Sequence, residues 1–264
     1  IFPINHQLKL GAQTSQDKNN AFRKECWVLN MSASIAKFIP KTTLQTGERA
    51  IGSLIFFHGS GDSGEGIKSW LQSVLGPEFS FPHLRVVFPT APPRPYTPHA
   101  GRVSNVWYDR KQISPFVSED ETVDFMCKEL APLIQAEVDS GILMSRILIG
   151  GFSMGGALAL HLGYRFLKNV AGVFALSSFL SNDSKVYQAI QSDSSQLPPL
   201  FQCHGKRDEL ILYDWGHTTF NKLKELGVQG EFHTYNKLYH DLQKQELIKL
   251  QEWIMKVIPL ESST

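Results

Sequence analysis

One five-residue stretch constrains this chain more than any other: Gly151-Phe152-Ser153-Met154-Gly155. An apolar run at 146–150 leads into it, and a run rich in small residues at 155–164 leads away. Apolar strand, tight turn and small-residue helix together form the setting in which a serine sits on a strained turn at the end of a strand. Glycines flank the serine because strand and helix approach closely only where side chains are absent. Gly156 and Ala157 extend that small surface, and the serine hydroxyl then stands at the positive end of a helix. The pattern also arises by chance, so the plain alternative is a glycine-rich turn that only closes a strand–helix unit. The stretch itself is not Gly-x-Gly-x-x-Gly and holds no P-loop lysine, which disfavours a nucleotide-binding turn there.

The rest of the chain repeats the same alternation. Short runs rich in Val, Ile and Phe occur at 53–57, 85–88, 146–150, 170–176, 200–204 and 231–235. Each is continuously apolar, as expected of strands covered on both faces. Between them, 119–139, 214–226 and 242–257 have helical spacing; in the first, Val123, Met126, Cys127, Leu130, Leu133, Ile134 and Val138 share one face. Repeated strand–helix alternation predicts an α/β architecture with a mostly parallel central sheet and helices on both faces. With the serine turn, this is the α/β-hydrolase fold. The one long irregular segment, 89–110, is rich in proline and carries Trp107; a loop of that length in a domain is usually functional.

A serine hydroxyl is a weak nucleophile until a base takes its proton, and the base needs an acid to orient it. In this fold the chain order is serine, acid, histidine. After the run at 200–204 come Gly205-Lys-Arg-Asp208-Glu209, which makes Asp208 and Glu209 the candidate acids. Asp208 is preferred, because Gly205 opens a short turn and a short side chain suits a rigid, buried hydrogen bond; the competing role for either is to cap a helix near Leu210. The base should follow the last strand, where His240 stands. His58 precedes Ser153 and so has the wrong order, His204 precedes the acid and is expected to support it, and His161, His217 and His233 fall on elements where histidine usually packs. The candidate catalytic residues are therefore Ser153, Asp208 and His240.

Acyl transfer builds negative charge on a carbonyl oxygen, which needs fixed donors. One expected donor is the N–H of Met154, next to the nucleophile. The other is the N–H of Ser60, in the glycine-rich loop His58–Gly66 that follows an early strand. Gly59 and Trp107, with Tyr108 beside it, are candidate substrate-binding residues, packing being the alternative for the aromatics. A phosphate-cradling nest is the competing reading of the loop, without a lysine to support it.

Charge and cysteine content exclude several other classes. The formal net charge is +1 and no basic run is interleaved with aromatics, so no nucleic-acid partner is expected. Three cysteines, Cys26, Cys127 and Cys203, have no paired spacing, which argues against a disulfide framework and a metal site and for a reducing, cytoplasmic setting. No apolar run is long enough to span a bilayer, so transient contact with a membrane surface is all that is expected. Residues 1–33, polar and irregular up to Met31, are expected to be a disordered extension, and 34–260 the catalytic domain.

Five motifs together carry a resemblance: His58-Gly-Ser-Gly-Asp-Ser-Gly64, Pro89-Thr-Ala-Pro-Pro-Arg94, Asn105-Val-Trp-Tyr-Asp109, Gly150-Gly-Phe-Ser-Met-Gly-Gly156 and Phe201-Gln-Cys-His-Gly205. Over 35–258 the chain resembles the acyl-protein thioesterase and lysophospholipase family. The resemblance implies a cofactor-free hydrolase of esters and thioesters, with S-acylated proteins or small acyl esters as substrates, and the same triad. Long-chain members of that family typically carry Leu where Ser60 stands, Gln where Met154 stands, and a Met-rich segment in place of 100–104. These departures predict a preference for short acyl chains. The alternative within hydrolases is a lysophospholipase or small-molecule carboxylesterase; outside them, it is an inactive hydrolase fold used as a binding module.

Overall fold

A seven-stranded sheet is the centre of the structure, a computed structural model that describes residues 41–45, 50–76 and 79–260. The expected extension at 1–33 lies outside these residues. The strands are β1 (Lys41–Gln45), β2 (Gly52–Phe57), β3 (Leu84–Pro89), β6 (Ile147–Phe152), β7 (Gly172–Leu176), β8 (Leu200–Gly205) and β9 (Gly230–Tyr235). Their order across the sheet is β1-β3-β2-β6-β7-β8-β9; β1 runs antiparallel to β3 and the rest are parallel.

Alternation within each strand divides the core in two. Ile55 and Phe57 of β2 and Ile149 of β6 face one layer, with α2 (Thr122–Asp139), α3 (Met154–His161), α4 (Lys185–Ser192) and α5 (Tyr213–Glu225). Leu54, Phe56, Leu148 and Phe174 face the other, with α1 (Gly64–Leu75) and α6 (Lys244–Val257). Both faces of β2, β6, β7 and β8 are buried, which is why those runs are mostly apolar, with Ser53, Gln202 and His204 as their buried polar exceptions. β9 departs from that expectation: it is the sheet edge, and Glu231 and His233 remain partly exposed. Among the described residues no helix is long and apolar enough to cross a membrane.

Two further expectations need correction. The segment 89–110 is not irregular throughout, since β4 (Pro93–Tyr96) and β5 (Arg102–Asn105) pair as an antiparallel hairpin. Helix α2 starts at Thr122 rather than 119. Glu119 pairs with His161 at 3.1 Å and accepts the Lys185 N–H at 3.2 Å, while Asp120 accepts the Thr122 N–H at 3.0 Å, so these residues serve as a loop and a cap.

Helix α6 opens on a capping box in which Gln243 and Glu246 exchange side-chain and backbone hydrogen bonds. Glu246 is fully buried. Burial pushes its carboxyl up to about 7, against the opposing pull of the Cys203 thiol and the Gln243 N–H. The folded protein thus holds this proton more tightly than the unfolded chain does. Its contribution is intact below about 4.5 and is lost as pH rises toward 7, by roughly 3 kcal/mol. Glu246→Gln is expected to gain stability relative to wild type between pH 5 and pH 8, as read from thermal melts of both at each pH. A wild-type-to-variant difference that does not change with pH would refute this role.

Candidate active site

The serine turn is built by close approach of three strands. Ser153 has φ 54° and ψ −119°, a conformation a non-glycine residue holds only where its surroundings dictate it. Its N–H donates to Leu176 O on β7 at 2.8 Å, and its own carbonyl accepts the Ser178 hydroxyl at 2.6 Å. A Cβ at Gly151 or at Gly155 would stand 2.3 Å or 2.2 Å from Phe57 O on β2, so neither position tolerates a side chain. Ser153 precedes α3 as its N-cap, yet its hydroxyl caps nothing.

That hydroxyl faces His240. His240 Nε2 lies 3.1 Å from Ser153 Oγ, and His240 Nδ1 lies 2.7 Å from Asp208 Oδ2. An ionised carboxylate only accepts, so Nδ1 carries the proton and Nε2 is left to accept from the serine. Two hydrogen bonds join the loops that carry acid and base: Lys206 N–H to Tyr235 O at 2.9 Å and Arg207 N–H to Leu238 O at 3.0 Å. They fix the relative positions of 208 and 240 although the two belong to different strand ends.

Asp208 has both roles that sequence reasoning set against each other. Oδ1 accepts the N–H groups of Leu210 at 3.1 Å and Ile211 at 2.7 Å, capping the turn, while Oδ2 faces His240. Burial pushes the carboxyl up, but hydrogen bonds from His204, His240 and the Ile211 N–H, with the attraction of His240, outweigh it and hold it down at about 2. Glu209 is exposed. His204 Nε2 lies 2.8 Å from Ile211 O and 3.4 Å from Asp208 Oδ2, a supporting place behind the acid.

His58 is a clamp. Its Nδ1–H donates to Gly59 O at 2.6 Å and its Nε2 accepts the Ala91 N–H at 2.9 Å, locking the glycine loop to the strand end beside it. Burial lowers the pKa of this ring, although its bond to Gly59 and the charge of Asp62 pull the other way. Trp107 is corrected from wall to support. It is fully buried, packs edge-on against Phe57, and donates its indole N–H to His58 O at 2.9 Å. Tyr108, buried beside it, is likewise absent from the wall.

A cavity of about 460 Å³ opens over Ser153 and His240, a common size for a small-molecule site. Gly59, Ser60 and Met154 form part of its wall. The Ser60 N–H donates to no group among the described residues, and its hydroxyl lies 3.7 Å from Met154 Sδ. Gly59, Gly61 and Gly64 also have the spacing of a dinucleotide-binding turn. The amides a phosphate would need at the start of α1 are engaged, Gly64 N–H with Thr90 Oγ1 at 2.9 Å and Gly66 N–H with Ser63 Oγ at 3.0 Å. The remaining wall includes Tyr96, Arg110, Phe179, Leu210 and Ile211, none foreseen from the sequence. The signal that existed was positional, since several follow the carboxyl ends of parallel strands, where ligand sites gather.

A family model described as phospholipase/carboxylesterase matches residues 41–258. Lysophospholipase-like protein 1 of Mus musculus is 50% identical over 228 residues, which cover 86% of this chain and 95% of that protein. Acyl-protein thioesterase 1 of Mycosarcoma maydis is 32% identical, over 82% of this chain and 95% of its own length. Among solved structures, acyl-protein thioesterase 2 of Zea mays superposes with a TM-score of 0.70 at 26% identity, covering 83% of this chain and 98% of that one.

Proposed function

The chain belongs to the phospholipase/carboxylesterase family, and from that premise we propose that it is a serine esterase and thioesterase in which Ser153, His240 and Asp208 form the catalytic triad. The observation that carries the assignment is the unbroken relay of 3.1 Å from Ser153 Oγ to His240 Nε2 and 2.7 Å from His240 Nδ1 to Asp208 Oδ2. His240 takes the serine proton as Oγ attacks the acyl carbon, then returns it to the departing thiol or alcohol. Water attacks the acyl-serine by the same path in reverse, and Asp208 stabilises the imidazolium each time. The N–H groups of Ser60 and Met154 receive the oxyanion, a role worth about 10²–10³ in rate per donor.

The substrates on this reading are S-acylated proteins or small acyl esters with short to medium acyl chains. A buried methylene gains about 0.8 kcal/mol only against an apolar wall. Here Trp70, Phe152 and Phe179 share the wall with Asp62, His99 and Arg110, so chain extension soon meets polar surface. Activity on a graded series of acyl esters and thioesters tests this. The value of kcat/KM is expected to peak at about four to eight carbons and to fall beyond. A steady rise from acetyl to palmitoyl would overturn the short-chain assignment, and absence of hydrolysis at every length would overturn the esterase reading itself.

A further inference from the structure

Arg110 closes one side of the cavity that holds Ser153. Its backbone N–H donates to Asp109 Oδ1 at 2.9 Å, and its Nη2 donates to the Tyr108 hydroxyl at 2.7 Å. The guanidinium carbon sits 5.0 Å from the centre of the Tyr108 ring and 5.6 Å from that of Phe179. Two aromatic rings and one hydroxyl thus hold a planar cation in place. Burial pushes the Tyr108 phenol up to about 12, more than Arg110 pulls it down, so the partner is neutral and leaves the charge uncancelled.

No carboxylate neutralises Arg110 among the described residues. The acids around it have other partners. Asp109 accepts the N–H of Thr97 at 2.9 Å and its hydroxyl at 2.6 Å. Glu119 and Asp120 share a small cavity lining with Arg110; Glu119 is paired with His161 at 3.1 Å, and Asp120 accepts the Thr122 N–H at 3.0 Å. Asp62, the carboxylate in the cavity wall, lies with Oδ1 against the backbone of Gly66 in the first turn of α1, where a helix terminus favours negative charge. The Arg110 Nε is buried and donates to nothing. A guanidinium has five donors and remains charged at any working pH, and unpaired in a half-enclosed wall it favours any ligand that supplies the missing anion. Its planar fork matches a carboxylate or phosphate with two parallel hydrogen bonds.

We propose that Arg110 recognises an anionic group on the substrate, a carboxylate or a phosphate, so that the preferred ester or thioester is a short one bearing negative charge rather than a plain fatty acyl compound. The proposal rests on Ser153 being the nucleophile of this cavity. Such a group has two sources, the far end of the acyl chain or the leaving thiol or alcohol.

Three thioesters separate them, with the hexanoyl thioester of N-acetylcysteamine as the neutral match in both arms. Hexanoyl and adipoyl thioesters of N-acetylcysteamine place the charge on the acyl side. Hexanoyl thioesters of N-acetylcysteamine and of mercaptopropionate place it on the leaving side. Thiol release gives kcat and KM for each. In one arm the charged compound is expected to exceed its neutral match in kcat/KM by about tenfold, mostly through KM, as one charge-assisted contact of roughly 1.4 kcal/mol would give. In Arg110→Gln the ratio is expected to fall to near one, and in Arg110→Lys to keep part of its value. Each ratio is taken within one protein, so a general loss of activity cancels. The wild-type ratio should also shrink as salt is raised, because added ions screen the contact; that measurement needs no variant. A wild-type ratio at or below one in both arms, or a ratio that survives in Arg110→Gln, overturns the anion site while the hydrolase reading stands. If no thioester is cleaved and Ser153 takes no fluorophosphonate, both readings fall.

Discussion

Alanine at position 153 is expected to abolish covalent labelling by a fluorophosphonate and to lower kcat by about a millionfold, the scale on which removing a triad serine acts. The substitution deletes one atom, Oγ, whose hydrogen-bond partner is the His240 imidazole. What holds the turn is backbone: the bond from the 153 N–H to Leu176 O and the bond from the Ser178 hydroxyl to the 153 carbonyl. Both survive the change, and alanine meets the same positive-φ cost as serine. The variant should therefore melt within a few degrees of wild type while losing its chemistry. The small residual rate would come from the oxyanion donors and binding alone. Intact-mass analysis after probe treatment, with peptide mapping of the adduct, reads the outcome directly. Labelling that persists in the variant, or that maps elsewhere in wild type, would remove Ser153 from the reaction.

The turn was legible in the sequence because its constraint is local. Gly151 and Gly155 abut Phe57 O whatever the rest of the sheet does, so two glycines around one serine between strand and helix specify the geometry. The order of acid and base was legible through the alternation of strands and helices, which puts the turns after β8 and β9 at one sheet edge. What was hidden depended on surfaces that meet only in three dimensions. β1 has the polar sequence Lys-Thr-Thr-Leu-Gln and shows no apolar run, because an edge strand paired on one side need not have one. The β4–β5 hairpin was concealed by Pro93 and Pro95, which a two-stranded ribbon tolerates on its free side. Trp107 follows the glycine loop's partner strand and resembles a wall residue in sequence; its direction is set by the bond to His58 O and by the core behind it. Arg110 directly follows the Asn105–Asp109 motif but is not part of it, and its stacking on Phe179 joins residues 69 positions apart.

Asparagine at 208 is expected to lower kcat by about 10⁴ with the protein still folded, a loss typical of a triad that has lost its carboxylate. Asp208 serves two sets of donors on two oxygens: the Leu210 and Ile211 N–H groups on Oδ1, and His240 Nδ1–H on Oδ2, with His204 Nε2 behind it. Asparagine has one oxygen for the two jobs. If the oxygen faces the backbone, the amide nitrogen donates to His240 Nδ1, the imidazole proton moves to Nε2, and nothing is left there to accept from Ser153. If the amide is reversed, the tautomer is kept but two N–H groups meet an NH₂, and the turn carrying Leu210 and Ile211 into the cavity wall opens. The first arrangement disrupts catalysis and the second disrupts the turn, so either one costs activity. A second readout separates charge from shape. The wild-type carboxyl is held at about 2 against an ordinary 3.8, so its stabilisation is complete above 3.8 and is lost as pH falls through 2. Asparagine has no such transition, and the stability gap between wild type and Asp208→Asn should narrow on acidification through that window. Steady-state kinetics at neutral pH, with denaturant melts of both proteins from pH 6 down to pH 2, measure the two effects. Wild-type kcat in the variant would show that Asp208 only caps its turn.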